Sequence, residues 1–423
     1  MEDKKKNVTV LVLGDVGRSP RMQYHCLSLA KHGANVSLVG FTGKECCDEL
    51  EQNKQITKYL VNGSIFKNWP RYLFPIYAPL KVLYQMLMML YILLFVVPKP
   101  NYYLVQNPPS IPTLFLVYFL CLIQKSKFII DWHNLGYTIL GLSMGENNIM
   151  TKIYKYIERT FGQKSNGNLC VTKAMKKWLK EEWNIEASVL YDKPPSFFHK
   201  CGLQEKEEFY SKLATRINPH YEIDSSIQDD GSKPFILVSS TSWTPDEDFS
   251  ILLTALISLD LRLCDQCYKD RKCYKVLCIV TGMGPLQNYY ETQFKELHLK
   301  CVSIQTMWFT YSDYISMLGS SDLGVCLHTS SSGLDLPMKV VDMFGSQLPV
   351  CAKSFSALPE LVQNNKNGYV FNTPTELTNQ IYDAILDYYG TKQTLSSLSN
   401  GTLDFLKVRW DQNWDTNASV LFD

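Results

Sequence analysis

The chain has 423 residues, 46% of them hydrophobic and 20% charged, which suits two packed domains better than one core. Its formal net charge of +1 lacks the basic excess of a nucleic-acid binder, so no nucleic-acid partner is expected. The 13 cysteines are irregularly spaced, with one CxxC pair at Cys264 and Cys267 and no second pair at zinc spacing, so reduced, mostly buried thiols in a reducing compartment are expected.

Residues 1–6 are charged and lead into an apolar, β-branched run over 8–13, too short for the core of a secretory signal. Helical periodicity follows over 22–32 and stops at Gly33, then 34–41 is again strand-like. That order predicts the opening of a parallel α/β sheet. Further buried strands are predicted over 102–105 and 127–130, each followed by polar residues where open α/β sheets place ligands. Residues 196–233 are charged and poor in strand formers. A second series then predicts strands over 234–238, 275–280 and 323–327, with helices over 249–260 and 338–344.

The expected organisation is therefore a Rossmann-like domain over 1–195, a linker or insertion over 196–232, and a second Rossmann-like domain over 233–374. Helices over 375–423 could cross back to the first domain. Residues 86–97 are all apolar or tyrosine, whereas a membrane span needs about 20 such residues. A core helix and a helix dipping into the membrane interface both fit. A second apolar run over 111–123 tilts the reading towards membrane contact.

Several loops after predicted strands could carry chemistry. Gly14-Asp15-Val16-Gly17-Arg18-Ser19-Pro20-Arg21 opens a helix, whose N-terminus favours an anion, and Arg18 and Arg21 could offer forks to phosphate. It is not GxGxxG, which argues against a dinucleotide-dependent oxidoreductase. Asp131-Trp132-His133-Asn134 offers a proton acceptor. In the second half, Ser242 lies in a hydroxyl-rich loop, and Gly282 and Gly284 could let backbone approach a nucleotide. Ser330, Ser331 and Ser332 precede Pro337, which suits a first helical turn. Lys339 would then face phosphates, with Asp342 on nearly the same helical face. No DxD sequence has a convincing metal position; Asp246 and Asp248 flank Glu247 at what reads as a helix start.

Residues 13–23, Gln106-Asn107-Pro108-Pro109, residues 130–136 and 168–172, Tyr191-Asp192-Lys193-Pro194, residues 239–250 and 322–345, and Arg409-Trp410-Asp411 follow one another along almost the whole chain. Through them it resembles the chitobiosyldiphosphodolichol beta-mannosyltransferase family. The resemblance implies a GT-B fold, two Rossmann-like domains facing across a cleft. It also implies GDP-mannose as donor, dolichol-linked chitobiosyl diphosphate as acceptor and inversion at the anomeric carbon. The setting it implies is the cytosolic face of the endoplasmic reticulum membrane, in complex with other early-pathway mannosyltransferases. No tightly bound cofactor is expected, and divalent-cation dependence stays open.

Under that reading Lys339, Ser242 and the Ser330–Ser332 loop take the donor diphosphate, Asp342 the ribose, and Arg18 and Arg21 a phosphate. The base is Asp15 or His133, with Asp15 slightly favoured. Family members commonly begin with a transmembrane segment, whereas this chain starts at its first strand. Another GT-B transferase with a lipid-linked acceptor, or a non-catalytic partner subunit, are the competing readings.

Overall fold

The computed structural model describes residues 5–62, 74–216, 233–244, 246–272 and 274–423, with the backbone alone for 74–79. Two compact units emerge: Met1–Asp192 with Trp410–Asp423, and Lys193–Arg409.

The first unit carries a seven-stranded parallel sheet of β1 (Asn7–Asp15), β2 (Asn35–Phe41), β3 (Ile56–Val61), β4 (Tyr102–Asn107), β5 (Lys127–Trp132), β6 (Gly167–Cys170) and β7 (Ser188–Val189), in the order β3-β2-β1-β4-β5-β6-β7. The strands read as continuous apolar runs because both faces are covered: Val8, Val10 and Val12 enter one core, while Leu11 is buried on the opposite face. Pro20 opens the helix Pro20–Lys31, where its missing N–H costs nothing, and Gly33 beyond its end takes a φ of 84°. The terminal helix Trp410–Asn417 returns to this unit. Trp410 and Trp414 donate through Nε1 to Ser28 Oγ (3.0 Å) and His25 Nδ1 (2.9 Å).

The second unit carries a six-stranded parallel sheet of β8 (Phe235–Ser240), β9 (Val276–Thr281), β10 (Val302–Met307), β11 (Leu323–Cys326), β12 (Val350–Lys353) and β13 (Gly368–Phe371), in the order β10-β9-β8-β11-β12-β13. In each sheet the order reverses beside the first strand, between β1 and β4 and between β8 and β11. Open α/β sheets place ligands at the carboxyl ends of the strands flanking such a point. That directs attention to the loops after β1, β4 and β5 in one unit and after β8, β9 and β11 in the other.

The helix expected over 249–260 runs from Phe249 to Asp270. Asp260 does not end it; its buried carboxylate accepts from the amides of Lys300, Cys301 and Val302, anchoring the start of β10. Within the segment read as a linker or insertion, Leu203–Ala214 is a helix whose Phe209 and Leu213 enter the second unit's core. Residues 217–232 of that segment lie outside the described residues. Among the described residues no helix is long and apolar enough to cross a membrane.

Candidate functional site

In the first unit, the end of β5 and the helix Pro20–Lys31 meet around Asp131. This carboxylate is fully buried. Arg21 grips it through two parallel bonds, Nε to Oδ2 and Nη2 to Oδ1, both 2.8 Å. Arg21 Nη1 is spent on Asp192 Oδ1 and the Leu190 carbonyl, each at 2.8 Å. Burial opposes the charge on Asp131, but Arg21 and His133 outweigh it and hold the carboxyl well below its usual range. Burial likewise opposes the charge on Arg21, and the two carboxylates hold it above its ordinary value. Arg21 is therefore a buried structural cation, and its expected role as a phosphate fork is corrected: it is 3% exposed with its donors committed to carboxylates. Arg18, by contrast, is exposed and lies 3.4 Å from Asp15.

Two histidines share the same Asp131 oxygen. His25 Nε2 lies 3.1 Å from Oδ2 while His25 Nδ1 accepts from Trp414, so Nε2 carries the hydrogen. Burial, first of all, depresses this imidazole's pKa and keeps it neutral, against the pull of Asp131. His133 Nε2 lies 2.8 Å from Oδ2, and its side chain is 23% exposed. An ionised carboxylate only accepts, so His133 Nε2 donates and its Nδ1 carries the lone pair.

Asp15, the other candidate base, is occupied locally. Its carboxylate accepts from the amides of Gly17 (3.0 Å) and Lys44 (3.1 Å), capping the short turn Val16–Arg18 and pinning it to the loop after β2. Sequence reasoning missed Glu158, on the helix Ile149–Gly162. Buried, it accepts from Asn107 Nδ2 (2.9 Å), Ser110 Oγ (2.8 Å) and the amides of Gly136 (2.8 Å) and Tyr137 (3.1 Å), tying the loops after β4 and β5 together. Burial raises its pKa despite these donors. Its signal, a lone acid in an amphipathic helix, is indistinguishable from a surface residue.

In the second unit Lys339 rises from the first turn of the helix Met338–Gly345, after Pro337 at its N-cap. Its ammonium bonds to Ser242 Oγ (3.2 Å) and forms an ion pair with Glu247. Glu247 is not a helix-start acid on the surface. It is buried, and its other oxygen accepts from Thr241 Oγ1 (2.9 Å) and the Ser242 amide (2.6 Å). Thr329 Oγ1 donates to the Asp246 carbonyl (2.8 Å), drawing in the loop after β11. Within that loop Ser330 bonds Asp335, and the Ser330 and Ser332 hydroxyls both accept from the Leu334 amide at 3.2 Å. Ser331 is half-buried beside them.

The glycine loop after β9 packs onto the same strand end. A Cβ on Gly282 would lie 1.8 Å from the Thr241 carbonyl oxygen, and one on Gly284 the same distance from that of Ser242. Asp342, one turn into its helix, lies 3.4 Å from the Tyr314 hydroxyl, which also reaches Ser240 Oγ at 3.4 Å. Ser242, Gly284, Lys339 and Glu247 thus meet at the carboxyl end of β8, where a cation, hydroxyls and approachable backbone suit a phosphorylated ligand.

No protein-family profile matches the chain. It is 41% identical over 436 residues to the human protein named chitobiosyldiphosphodolichol beta-mannosyltransferase, covering 97% of this chain and 91% of that one. The Dictyostelium discoideum protein of the same name is 37% identical over 455 residues, covering 97% and 92%. Among solved structures, Anabaena HepE in complex with UDP-glucose aligns with a TM-score of 0.69 at 14% identity, covering 99% of each chain. The glycosyltransferase WaaG aligns at 0.64 and 10% identity, covering 98% of this chain and 99% of that one. At such identities the likeness is one of fold, the GT-B fold of glycosyltransferases.

Proposed function

We propose that this chain, which belongs to the chitobiosyldiphosphodolichol beta-mannosyltransferase family, transfers mannose from GDP-mannose to dolichol-linked chitobiosyl diphosphate with inversion, forming a beta-1,4 linkage. The observation that carries the reading is the near-full-length identity with proteins of that name, to which the Lys339–Ser242 arrangement adds a fitting chemistry.

In this reaction the acceptor hydroxyl oxygen bonds to the anomeric carbon as the bond from that carbon to the GDP oxygen breaks. The hydroxyl proton passes to a base. We assign the base to His133: Asp131 holds its Nε2–H, stabilises the imidazolium that forms, and leaves Nδ1 as acceptor. This reverses the slight preference for Asp15, whose oxygens already cap a turn. Charge develops on the departing diphosphate, and Lys339, Ser242 and the backbone near Gly284 are its assigned stabilisers, with Asp342 on the ribose. Arg18 is retained for a phosphate.

A lipid-linked acceptor requires contact with a bilayer. In the first unit the helices Phe74–Tyr91, Thr113–Gln124, Ile149–Gly162 and Gly136–Met144 pack in succession. They and the turn Ile92–Val96 expose Phe95, Phe119, Ile123, Leu142, Ile149 and Tyr156 beside the exposed Lys152, Lys155 and Lys164. An apolar face flanked by cations suits the interface of an anionic membrane, and we assign it to the cytosolic face of the endoplasmic reticulum. The test is transfer by the purified chain from radiolabelled GDP-mannose to a chitobiosyl-diphospholipid. Transfer from UDP-glucose or UDP-GlcNAc at a comparable rate rejects the donor assignment.

A further inference from the structure

The second unit holds a cavity of about 460 Å³ that the transfer reaction does not use. It opens at the amino ends of the strands: Lys233 precedes β8, Asp322 precedes β11, and Ser346 to Pro349 lead into β12. The Ser242–Lys339 cluster lies at the carboxyl ends of the same sheet. The eight residues of Met338–Gly345 separate the two, with Lys339 in the first turn and Ser346 just past the last. At the rise of an α-helix that is about 12 Å.

The cavity's chemistry is that of an anion site. Lys200, Lys206, Lys233 and Lys392 line it from four separate segments, against two carboxylates, Glu207 and Asp322. Among the described residues, none of Lys200, Lys206 and Lys233 forms an ion pair. The Lys200 ammonium bonds only a hydroxyl, Ser399 Oγ at 3.2 Å, and Lys233 lies 5.9 Å from the Tyr210 ring centre. Burial, first of all, pushes the Asp322 carboxyl up to about 6, against the Ile236 amide that its Oδ2 accepts at 2.8 Å and the pull of Lys206, Lys392 and Lys200. Ser346 lines the cavity, is 1% exposed, and its hydroxyl has no hydrogen-bond partner among the described residues.

We propose that this cavity binds a small, soluble, multiply charged phosphate compound of the diphosphate class, at a site separate from the donor cluster. With four lysines against two carboxylates, the lining carries an excess of positive charge that an anion would balance. Their spread over four segments lets one ligand bridge the helix Leu203–Ala214, the start of β8 and the helix Gln393–Gly401. The volume lies within the range of small-molecule sites. The reading does not rest on the mannosyltransferase assignment, since none of the lysines it uses is a catalytic or donor candidate.

The experiment is calorimetric titration of the full chain with inorganic pyrophosphate at low ionic strength, in parallel with three variants. Lys339→Ala, which removes the cation of the donor cluster, is expected to retain one pyrophosphate per chain with affinity within about threefold. Lys206→Glu with Lys233→Glu is expected to lose at least tenfold in that affinity. The milder Lys206→Gln should lose about threefold, which keeps the test decisive if the double charge reversal fails to fold. Absence of binding at millimolar pyrophosphate in the Lys339→Ala chain overturns the proposal. So does unchanged affinity in a folded pocket variant.

Discussion

At the scale of single residues, the proposed mechanism places its chemistry on Lys339 and His133. Removing one preorganised stabiliser of a departing anion commonly costs about 10²–10³ in turnover. Lys339→Ala should therefore lower kcat by at least about tenfold in a folded protein, and near-normal kcat would return Lys339 to a plain ion pair with Glu247. His133→Ala should lower kcat by about 10²–10⁴. Asp15→Asn, whose side-chain oxygen can still accept from the Gly17 and Lys44 amides, should keep most of the activity; the opposite ranking exchanges the two roles. Asp131 tests the support beneath His133. Asp131→Asn leaves Arg21 buried with half its partners and should destabilise the fold by about 3–5 kcal/mol, measured by denaturant unfolding at pH 7. The sign with pH follows from a folded-state pKa held below the unfolded value of about 3.9. The carboxylate's stabilisation is complete above that value and is lost as pH falls through the lower folded one. The wild-type chain should thus lose stability on its acid limb more steeply than the Asn variant. Most of these residues were legible as polar groups after strands. Arg21 was misread because burial cannot be seen in a loop's composition, and Glu158 and Glu247 were missed because their partners lie far away in sequence or in a neighbouring turn.

At the scale of elements, the apolar helices of the first unit explain why residues 86–97 and 111–123 admitted two readings. Each has a packed side and an open side. Met89 and Leu93 are buried while Leu87, Tyr91 and Phe95 are exposed; Leu114 and Val117 are buried while Phe119, Leu122 and Ile123 are exposed. Hydrophobicity alone reports both sides equally, and only packing separates them. If the open side meets a bilayer, Ile123→Glu combined with Ile149→Glu should reduce cosedimentation with anionic vesicles by at least tenfold, leaving the thermal transition unchanged because both side chains are already exposed. Undiminished sedimentation of the folded variant would contradict that assignment. The strands show a related limit. Long apolar runs such as β1 and β8 were legible, but β6, β7, β12 and β13 have four residues or fewer, and β10 alternates polar with apolar residues. The short inner strands β6 and β12 gain their stability from neighbours on both sides, and the edge strands β7, β13 and β10 from one, which local pattern does not contain.

For the whole molecule, two α/β units were expected and two parallel sheets with reversals beside β1 and β8 are found, in keeping with the GT-B neighbours. The reversal points account for where the candidate residues gather, since they fix which strand ends flank a crevice. Donor identity is different in kind: a cation, hydroxyls and glycines suit any nucleotide diphosphate, the choice of mannose follows the relatives' names, and guanine is part of the proposal. The most direct measurement is therefore a donor panel with the purified chain and a chitobiosyl-diphospholipid acceptor. Mannose transfer from GDP-mannose, at least about a hundredfold faster than any transfer from UDP-glucose or UDP-GlcNAc and abolished by His133→Ala with Lys339→Ala, is the expected result. Transfer from a UDP-sugar at a comparable rate, or no transfer from GDP-mannose by the folded chain, would contradict it.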